Sequence, residues 1–176
     1  RDRRPGPPPQ AWSAALGVGA GMSTRDGGVS VAPWAALNLG LAVGDDVRAV
    51  AQNRRRFEAA LGVPAVYLRQ VHGARVVRLT VADLPRSDLI EADAAITTEA
   101  GLACVVQVAD CLPVLLAAPD GRAVGAVHVG WRGLAAGVVG QAVAAMAAPP
   151  DTLLAWLGPA ICAACYEVGD EVRAAF

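Results

Sequence analysis

The chain has 176 residues, 55% of them hydrophobic, and its 15 basic and 16 acidic residues give a net charge of -1. This length and apolar content predict one globular domain with a substantial core, and the balanced charge argues against a general affinity for nucleic acid or anionic membranes. The strongest apolar stretch, residues 102–118, contains Gln107, Asp110 and Pro113 and is too short to cross a bilayer, so we expect no membrane partner.

The chain opens with RDRRPGPPPQ, which is rich in proline and arginine and does not have the pattern of a secretory signal. We therefore predict a flexible tail over residues 1–13, a single catalytic domain over residues 14–176 and a cytoplasmic location. The cysteines are too few for a disulfide scaffold, so we expect free thiols or metal ligands. They are Cys104, Cys111, Cys162 and Cys165.

The first half of the domain contains one clear helical pattern. Residues 14–22 form an apolar run of small residues that predicts a strand before a loop. Residues 46–61 are predicted to be helical, because apolar residues recur on one face, an aspartate can cap the start and a glycine can end it. Residues 66–79 and 102–108 are rich in β-branched residues and predict strands.

The second half is predicted to contain a hairpin and a second helix. Residues 114–118 and 123–129 flank an Asp-Gly turn and predict an antiparallel hairpin. A helix is expected over residues 133–148 and a short strand over residues 152–157. Antiparallel strand pairs with few helices favour an α+β fold, an α/β layered sandwich with mixed, largely antiparallel sheets covered by helices.

The predicted hairpin brings two potential metal ligands together. If Asp120 and Gly121 form its loop, the pairing register places Cys111 opposite Gly130. Because side chains of a strand alternate between faces, Cys111 and His128 emerge on the same face as diagonal neighbours. We therefore expect both side chains to be within reach of one shared ligand.

A thiolate with imidazoles is a typical zinc ligand set, and three protein ligands with one open position are typical of catalytic zinc. The chain has only two histidines, so His72 is the candidate third ligand. Asp110 either orients a ligand or caps backbone amides in a turn. Arg132 either binds a phosphate or carboxylate or stacks on the neighbouring Trp131.

Other interpretations of these residues remain open. Two histidines and a cysteine also form blue-copper centres, whereas a multicopper oxidase needs more imidazoles than the two in this chain. Cys111 and His128 are also compatible with the nucleophile and base of a metal-free cysteine hydrolase. A third interpretation is a binding protein in which zinc is structural, and such a site is expected to have a fourth protein ligand. The C-x-x-C pair Cys162 and Cys165 could supply that ligand, although the alanines beside it favour a role in packing.

Nine motifs in order, spread over almost the whole chain, carry a family resemblance. They are GMSTRDGGVS, ALNLG, GDD, NRR, RQVHG, ADAAIT, ADCLPVLL, HVGWRGLAAGVV and GPAICAACYEVG. The chain resembles the purine nucleoside phosphorylase family that was long described as laccase-like polyphenol oxidases. The resemblance implies zinc held by His72, Cys111 and His128, with copper as the alternative metal. It also implies purine nucleoside and phosphate as substrates, with phosphorolysis of adenosine, inosine and methylthioadenosine, and deamination of adenosine.

Candidate roles follow for the remaining polar residues. In addition to the three ligands, Asp110 is a candidate for orienting a ligand or transferring a proton. The candidates for phosphate are Arg25, Arg54 and Arg132, and those for sugar or base are Asn38 and Gln70. The last two also have a structural explanation, in a turn and at a strand end respectively.

Two features of the chain differ from the family pattern. Val129 stands where members usually have alanine, which changes the side-chain volume beside a candidate ligand. The sequence ends at Phe176, whereas relatives continue with a segment that carries a cysteine-threonine pair and an arginine-rich strand. We therefore expect this chain to lack that segment.

Overall fold

A computed structural model describes residues 17–176 and shows an α+β fold, which confirms the predicted class. The predicted tail and residues 14–16 lie outside the described residues. Residues 17–22, predicted as a strand, have no regular secondary structure. Glycine occupies every second position from residue 17 to residue 21, and glycine is unfavourable in strands because it has no side chain to pack.

The first described helix, α1 (Val47–Leu61), confirms the prediction for this segment. The Asp46 carboxylate accepts a hydrogen bond from the Arg48 amide at the start, and Gly62 ends the helix at a φ of 76°. The buried Asn53 side chain on this helix donates to the carbonyl groups of residues 36 and 38 and accepts from the amide of residue 29. Helix α1 therefore holds the long loop that precedes it in one conformation.

Seven strands form two sheets within residues 17–176. Their bounds are β1 (Ala65–Tyr67), β2 (Val76–Leu79), β3 (Ala94–Thr97), β4 (Ala103–Val105), β5 (Leu112–Ala117), β6 (Val124–Val129) and β7 (Leu154–Leu157). The larger sheet has the order β2-β3-β6-β5-β7, in which only the β2–β3 pair is parallel. The parallel pair β1–β4 forms the smaller sheet.

Two predicted elements are divided in the structure. The strand expected over residues 66–79 is split into β1 and β2, which belong to different sheets and are joined by residues 68–75. The helix expected over residues 133–148 is split into α2 (Trp131–Ala135) and α3 (Val138–Ala145), because Gly137 adopts a φ of 83° between them. A helical residue cannot have this positive φ, so the helix must be interrupted there.

Helix α3 packs on the larger sheet and forms the main core with it. The buried side chains of this core include Ile96, Val127, Val138, Ala142 and Met146. A 3₁₀ turn, Pro150–Thr152, leads into β7, and a short helix, α4 (Asp170–Arg173), lies near the end of the chain. Within residues 17–176, no helix combines the length and apolar character needed to cross a membrane.

Candidate metal centre

The β5–β6 hairpin has the predicted register. Leu112 pairs with Val129, and one further step along the same register places Cys111 opposite Gly130. The backbone pairing ends at Ala118 and Ala123, so the loop contains four residues rather than the predicted two. A loop of either length preserves the alternation of side chains, which is why the predicted facing remains correct.

The three candidate ligands converge at the end of this hairpin. His72, Cys111 and His128 each offer one ligand atom, and these atoms all lie within 4.8 Å of one another. The two imidazole rings are 4.7 Å apart between centroids and meet edge to face at 77°. His128 is buried, Cys111 is half-buried and His72 is exposed, so the cluster connects the core to solvent.

His72 is held in an unusual backbone conformation. It lies in the loop between β1 and β2 with a φ of 59°, a left-handed value that non-glycine residues rarely adopt. The amides of Val71, His72 and Gly73 donate to the carboxylate of Asp93 over 3.2, 2.9 and 2.8 Å. Three hydrogen bonds to one carboxylate therefore stabilise the conformation that directs His72 toward the hairpin.

Asp93 also positions the second histidine. Its Oδ1 lies 2.8 Å from Nδ1 of His128, and the Asp93 side chain is fully buried. A carboxylate accepts the Nδ1–H proton of an imidazole, which leaves the lone pair of Nε2 available to a metal or a thiol. One carboxylate thus fixes the loop of His72 and the tautomer of His128.

Asp93 is absent from the site residues predicted from the sequence, where it appears only within the motif ADAAIT. The sequence feature that could have identified Asp93 is an aspartate at the start of an apolar strand. A charged group buried at such a position requires several hydrogen-bond donors around it. The hydrogen bonds that orient the two histidines come from Asp93, and the orienting role considered for Asp110 stays a prediction. Asp110 is exposed, and its backbone carbonyl accepts from the Ile161 amide over 2.9 Å.

Two glycines of the GWRG motif allow the elements to approach closely. A Cβ atom on Gly130 would lie 2.8 Å from Cδ2 of His72 and 3.2 Å from Sγ of Cys111. A Cβ atom on Gly133 would lie 2.7 Å from the Gly73 carbonyl oxygen. The separations from Gly130 to His72 and from Gly133 to Gly73 are both shorter than normal van der Waals contact. Residue 130 must therefore be glycine for the His72 imidazole to lie against the hairpin.

The electrostatic environment favours the neutral forms of Cys111 and His128. Burial raises the pKa of the Cys111 thiol, and the charges of Asp110 and Asp93 raise it further. Burial lowers the pKa of His128, an effect that Asp93 opposes and His72 reinforces. At neutral pH the site therefore holds a Cys111 thiol and a neutral His128 imidazole, and binding of a metal displaces the proton from the Cys111 sulfur.

The cluster opens into a large cavity of about 2180 Å³. His72, Cys111, His128 and Asp110 line it, together with Trp156 and much of the loop before α1. Arg25, Asn38 and Gln70, predicted to bind substrate, also line this cavity. Arg54 and Arg132 are not among its lining residues.

Of the three arginines predicted to bind phosphate, Arg25 faces the cavity. Its guanidinium donates through Nε and Nη2 to the Ala35 carbonyl over 3.0 and 2.6 Å. Both bonds are to a neutral oxygen, and they orient the guanidinium without neutralising its charge. An anion in the cavity would therefore meet a positioned positive charge.

Asn38 and Gln70 have the structural roles that the sequence left open. Asn38 accepts from the Gly40 amide over 3.0 Å and donates to Asp45 over 2.9 Å, as in a turn. The Gln70 amide forms two hydrogen bonds, of 2.7 and 2.8 Å, with the backbone of Gln107. These contacts shape the cavity wall by fixing two of its loops.

The other two arginines have internal partners. Arg54 forms a bidentate ion pair with Asp88, donates to the Leu39 carbonyl and lies over the Tyr67 ring at 3.9 Å. These contacts occupy the guanidinium and argue against a phosphate role for Arg54. The Arg132 guanidinium stacks on Trp131 at 4.2 Å, the structural alternative considered for this pair.

Comparisons with known proteins agree over almost the whole chain. Residues 19–176 match the family described as multi-copper polyphenol oxidoreductase laccase. The chain is 48% identical over 165 residues to a Pseudomonas aeruginosa protein named purine nucleoside phosphorylase PA4543, covering 94% of this chain and 66% of that one. It is 47% identical over 167 residues to Escherichia coli purine nucleoside phosphorylase YfiH, covering 94% and 68%.

Solved structures show the same fold. Protein NMB0706 of Neisseria meningitidis superposes with a TM-score of 0.83 at 45% identity, over 88% of this chain and 63% of that one. YlmD of Geobacillus stearothermophilus superposes with a TM-score of 0.81 at 36% identity, over 88% and 62%. The chain thus spans about two thirds of the length of the curated relatives it matches.

Proposed function

The chain belongs to the family described as multi-copper polyphenol oxidoreductase laccase, with relatives named purine nucleoside phosphorylases, and we propose that it is a zinc-dependent purine nucleoside phosphorylase. Its proposed substrates are phosphate and adenosine, inosine or methylthioadenosine, with deamination of adenosine as a second activity. The observation that carries this proposal is the convergence of His72, Cys111 and His128 at the wall of a large cavity.

The donor set fits zinc. Two imidazoles and one thiolate are borderline-soft ligands, and their ligand atoms lie within 4.8 Å of one another. Donors around a tetrahedral zinc ion lie roughly 3.5 Å apart, so small side-chain rotations are sufficient. Several copper ions would need more imidazoles than the two histidines of this chain provide. Zinc supplies Lewis-acid activation of water or of a substrate oxygen when bound in a site with an open position.

The residues around the cluster have distinct proposed roles. Asp93 fixes the orientation of His72 and His128, and Arg25 binds the phosphate nucleophile. Asp110 lines the cavity beside Cys111 and is the proposed proton-transfer residue. A reducing compartment such as the cytoplasm fits a centre that needs Cys111 as a free thiol.

Phosphorolysis places three demands on these residues. Phosphate forms a bond to the anomeric carbon of ribose while the bond from that carbon to the purine nitrogen breaks. Positive charge develops on the sugar, and the base departs with a proton. Arg25 meets the first of these demands, because its guanidinium faces the cavity and can hold the phosphate, and Asp110 lines the same cavity as the proposed proton-transfer residue.

A metal-free cysteine hydrolase is the second candidate, and one specific observation favours it. Cys111, His128 and Asp93 form a thiol-imidazole-carboxylate series, which is the order found in cysteine hydrolases. The electrostatics oppose this function, because the pKa of the Cys111 thiol is raised whereas a nucleophilic cysteine needs a lowered one. The adjacent His72 also has no role in such a mechanism.

Chromatography of a reaction between the zinc-loaded protein and adenosine tests the proposed function. With phosphate we expect adenine and ribose 1-phosphate, and without phosphate we expect neither. Inosine and ammonia, formed with or without phosphate, would identify the deaminase activity. Absence of all these products from folded, zinc-loaded protein would contradict the proposal.

A further inference from the structure

Cys162 and Cys165 lie outside the candidate metal centre and close to each other. Both are exposed, and their Sγ atoms are 3.2 Å apart. They lie in a turn that is closed by a 2.9 Å hydrogen bond from the Cys165 amide to the Cys162 carbonyl. The packing role predicted for this pair is therefore wrong, since neither side chain is buried.

We propose that Cys162 and Cys165 are a redox-active dithiol that closes reversibly to an intramolecular disulfide by exchange with low-molecular-weight disulfides. Four-residue turns bring their first and last Cα atoms within about 7 Å, a separation that a disulfide spans without movement of the backbone. The two sulfur atoms are already in contact, so a small rotation of each side chain brings them to bonding distance. This activity is independent of the proposed nucleoside phosphorylase function.

The two thiols differ in their surroundings, which assigns their order of reaction. The hydrogen bond with Cys165 lowers the pKa of Cys162, and the backbone amides of Cys165 and Ala164 lower it further. The same hydrogen bond raises the pKa of Cys165. Cys162 is therefore the attacking thiol and Cys165 the one that resolves the intermediate, because the thiolate is the reactive form.

The exchange is balanced in atoms and electrons. The Cys162 thiolate attacks one sulfur of a disulfide R–S–S–R, and the thiolate that leaves takes up the proton that Cys162 lost. Cys165 then loses its proton, and its sulfur attacks Sγ of Cys162 and expels the second thiolate, which takes up that proton. The dithiol is oxidised by two electrons, and one R–S–S–R is reduced to two R–SH.

The dithiol adjoins the candidate metal centre without belonging to it. The Ile161 amide, directly before Cys162, donates to the carbonyl of Asp110 over 2.9 Å, and Asp110 directly precedes Cys111. Neither Cys162 nor Cys165 is a member of the three-ligand cluster. The remaining cysteine, Cys104, is a suitable control, because burial raises the pKa of its thiol to about 12.

The test uses oxidised glutathione as the disulfide and tryptic peptide mapping as the readout. The chain has no lysine or arginine between Arg132 and Arg173, so one tryptic peptide contains Cys162 and Cys165 and neither of the other cysteines. After incubation, alkylation of the remaining thiols and digestion without reductant, we expect this peptide to be two hydrogens lighter and unalkylated. Dithiothreitol should restore two alkylatable thiols.

Variants separate an internal disulfide from simple adduct formation. Cys165→Ser should trap one stable glutathione adduct on Cys162, whereas Cys162→Ser should give no disulfide and only slow modification of Cys165. Cys104→Ser should behave as the parent does. Two free thiols after treatment, or a peptide with two glutathione adducts and no internal disulfide, would overturn the proposal.

Discussion

The Asp93 carboxylate lies 2.8 Å from Nδ1 of His128, and both side chains are buried. The Asp93 Oδ2 atom accepts hydrogen bonds from the amides of Val71 and Gly73, and Oδ1 accepts one from the amide of His72. These three bonds hold the loop of His72. The geometry of both imidazoles therefore depends on one buried charge. Removing that charge should affect metal binding more than removing the exposed charge beside Cys111.

Asp93→Asn is the first prediction. The amide keeps the size of the side chain but places donors opposite backbone amides and loses the charge that fixes the His128 tautomer. We expect the zinc dissociation constant to rise roughly 10–100-fold, as measured by competition with a chromophoric chelator. The matched control Asp110→Asn should change zinc affinity little, because the Asp110 side chain orients neither histidine. Equal effects of the two substitutions would contradict this role for Asp93.

Gly130→Ala is the second prediction. Its Cβ atom would lie 2.8 Å from Cδ2 of His72 and 3.2 Å from Sγ of Cys111, so the imidazole must shift from its position against the hairpin. Overpacking of this kind costs about 1–3 kcal/mol, and we expect the variant to lose stability and zinc affinity together. Chemical denaturation and zinc titration measure the two effects.

Gly140→Ala is the matched control for this substitution. Gly140 lies in α3, and a Cβ atom added to it would have nothing within 4 Å. Alanine at this position should therefore increase stability by about 0.5–1 kcal/mol and leave zinc affinity unchanged. If Gly130→Ala kept parental zinc affinity, the close contact with His72 would not control the site.

The third prediction concerns the pH dependence of stability in metal-free protein. Burial lowers the pKa of His128 below its ordinary 6.5, so an unfolded chain takes up this proton at a higher pH than the folded one does. The unfolded state binds more protons in that window, and the free energy of unfolding must fall as pH falls. This stability is fully present above pH 6.5 and is lost between pH 6.5 and the lower folded-state pKa.

Urea denaturation between about pH 8 and about pH 5 measures this dependence. His128→Gln removes the titrating group, so its free energy of unfolding should decline less over the same interval. Parallel pH profiles for parent and variant would show that His128 does not carry the effect.

The fourth prediction concerns the hairpin loop. From the sequence, one residue inserted between Asp120 and Gly121 reverses the register and separates Cys111 from His128. The structure predicts the opposite result, because the loop has four residues and β6 and β5 are each held on their other side, by β3 and β7. The insertion variant should therefore retain parental zinc content, measured by elemental analysis. Loss of zinc from a folded variant would show that the loop does set the register.

Some of these features are local and can therefore be predicted from the sequence. Helix α1 has its cap, its apolar face and its terminating glycine in adjacent positions, and the hairpin register follows from the alternation of side chains. Both depend on rules of short range along the chain. These rules are sufficient to predict that the side chains of Cys111 and His128 lie on the same face of the hairpin.

Other features depend on contacts between distant segments. Asp93 is 20 or more residues from each group it binds, so its role depends on how β3 lies beside the loop of His72 and beside β6. The internal pairing of Arg54 with Asp88 is likewise a tertiary contact. In the sequence Gly137 is an ordinary small residue within a helical pattern, and only its φ of 83° shows that the helix must break.

In the proposed mechanism one zinc ion, held by His72, Cys111 and His128, is required for phosphorolysis. The most direct test is a zinc titration of chelator-treated protein while adenine release from adenosine and phosphate is followed. We predict no release without metal and a rise that saturates at about one equivalent of zinc, as expected for a single three-ligand site. Full activity in protein shown by elemental analysis to be metal-free would contradict the zinc requirement.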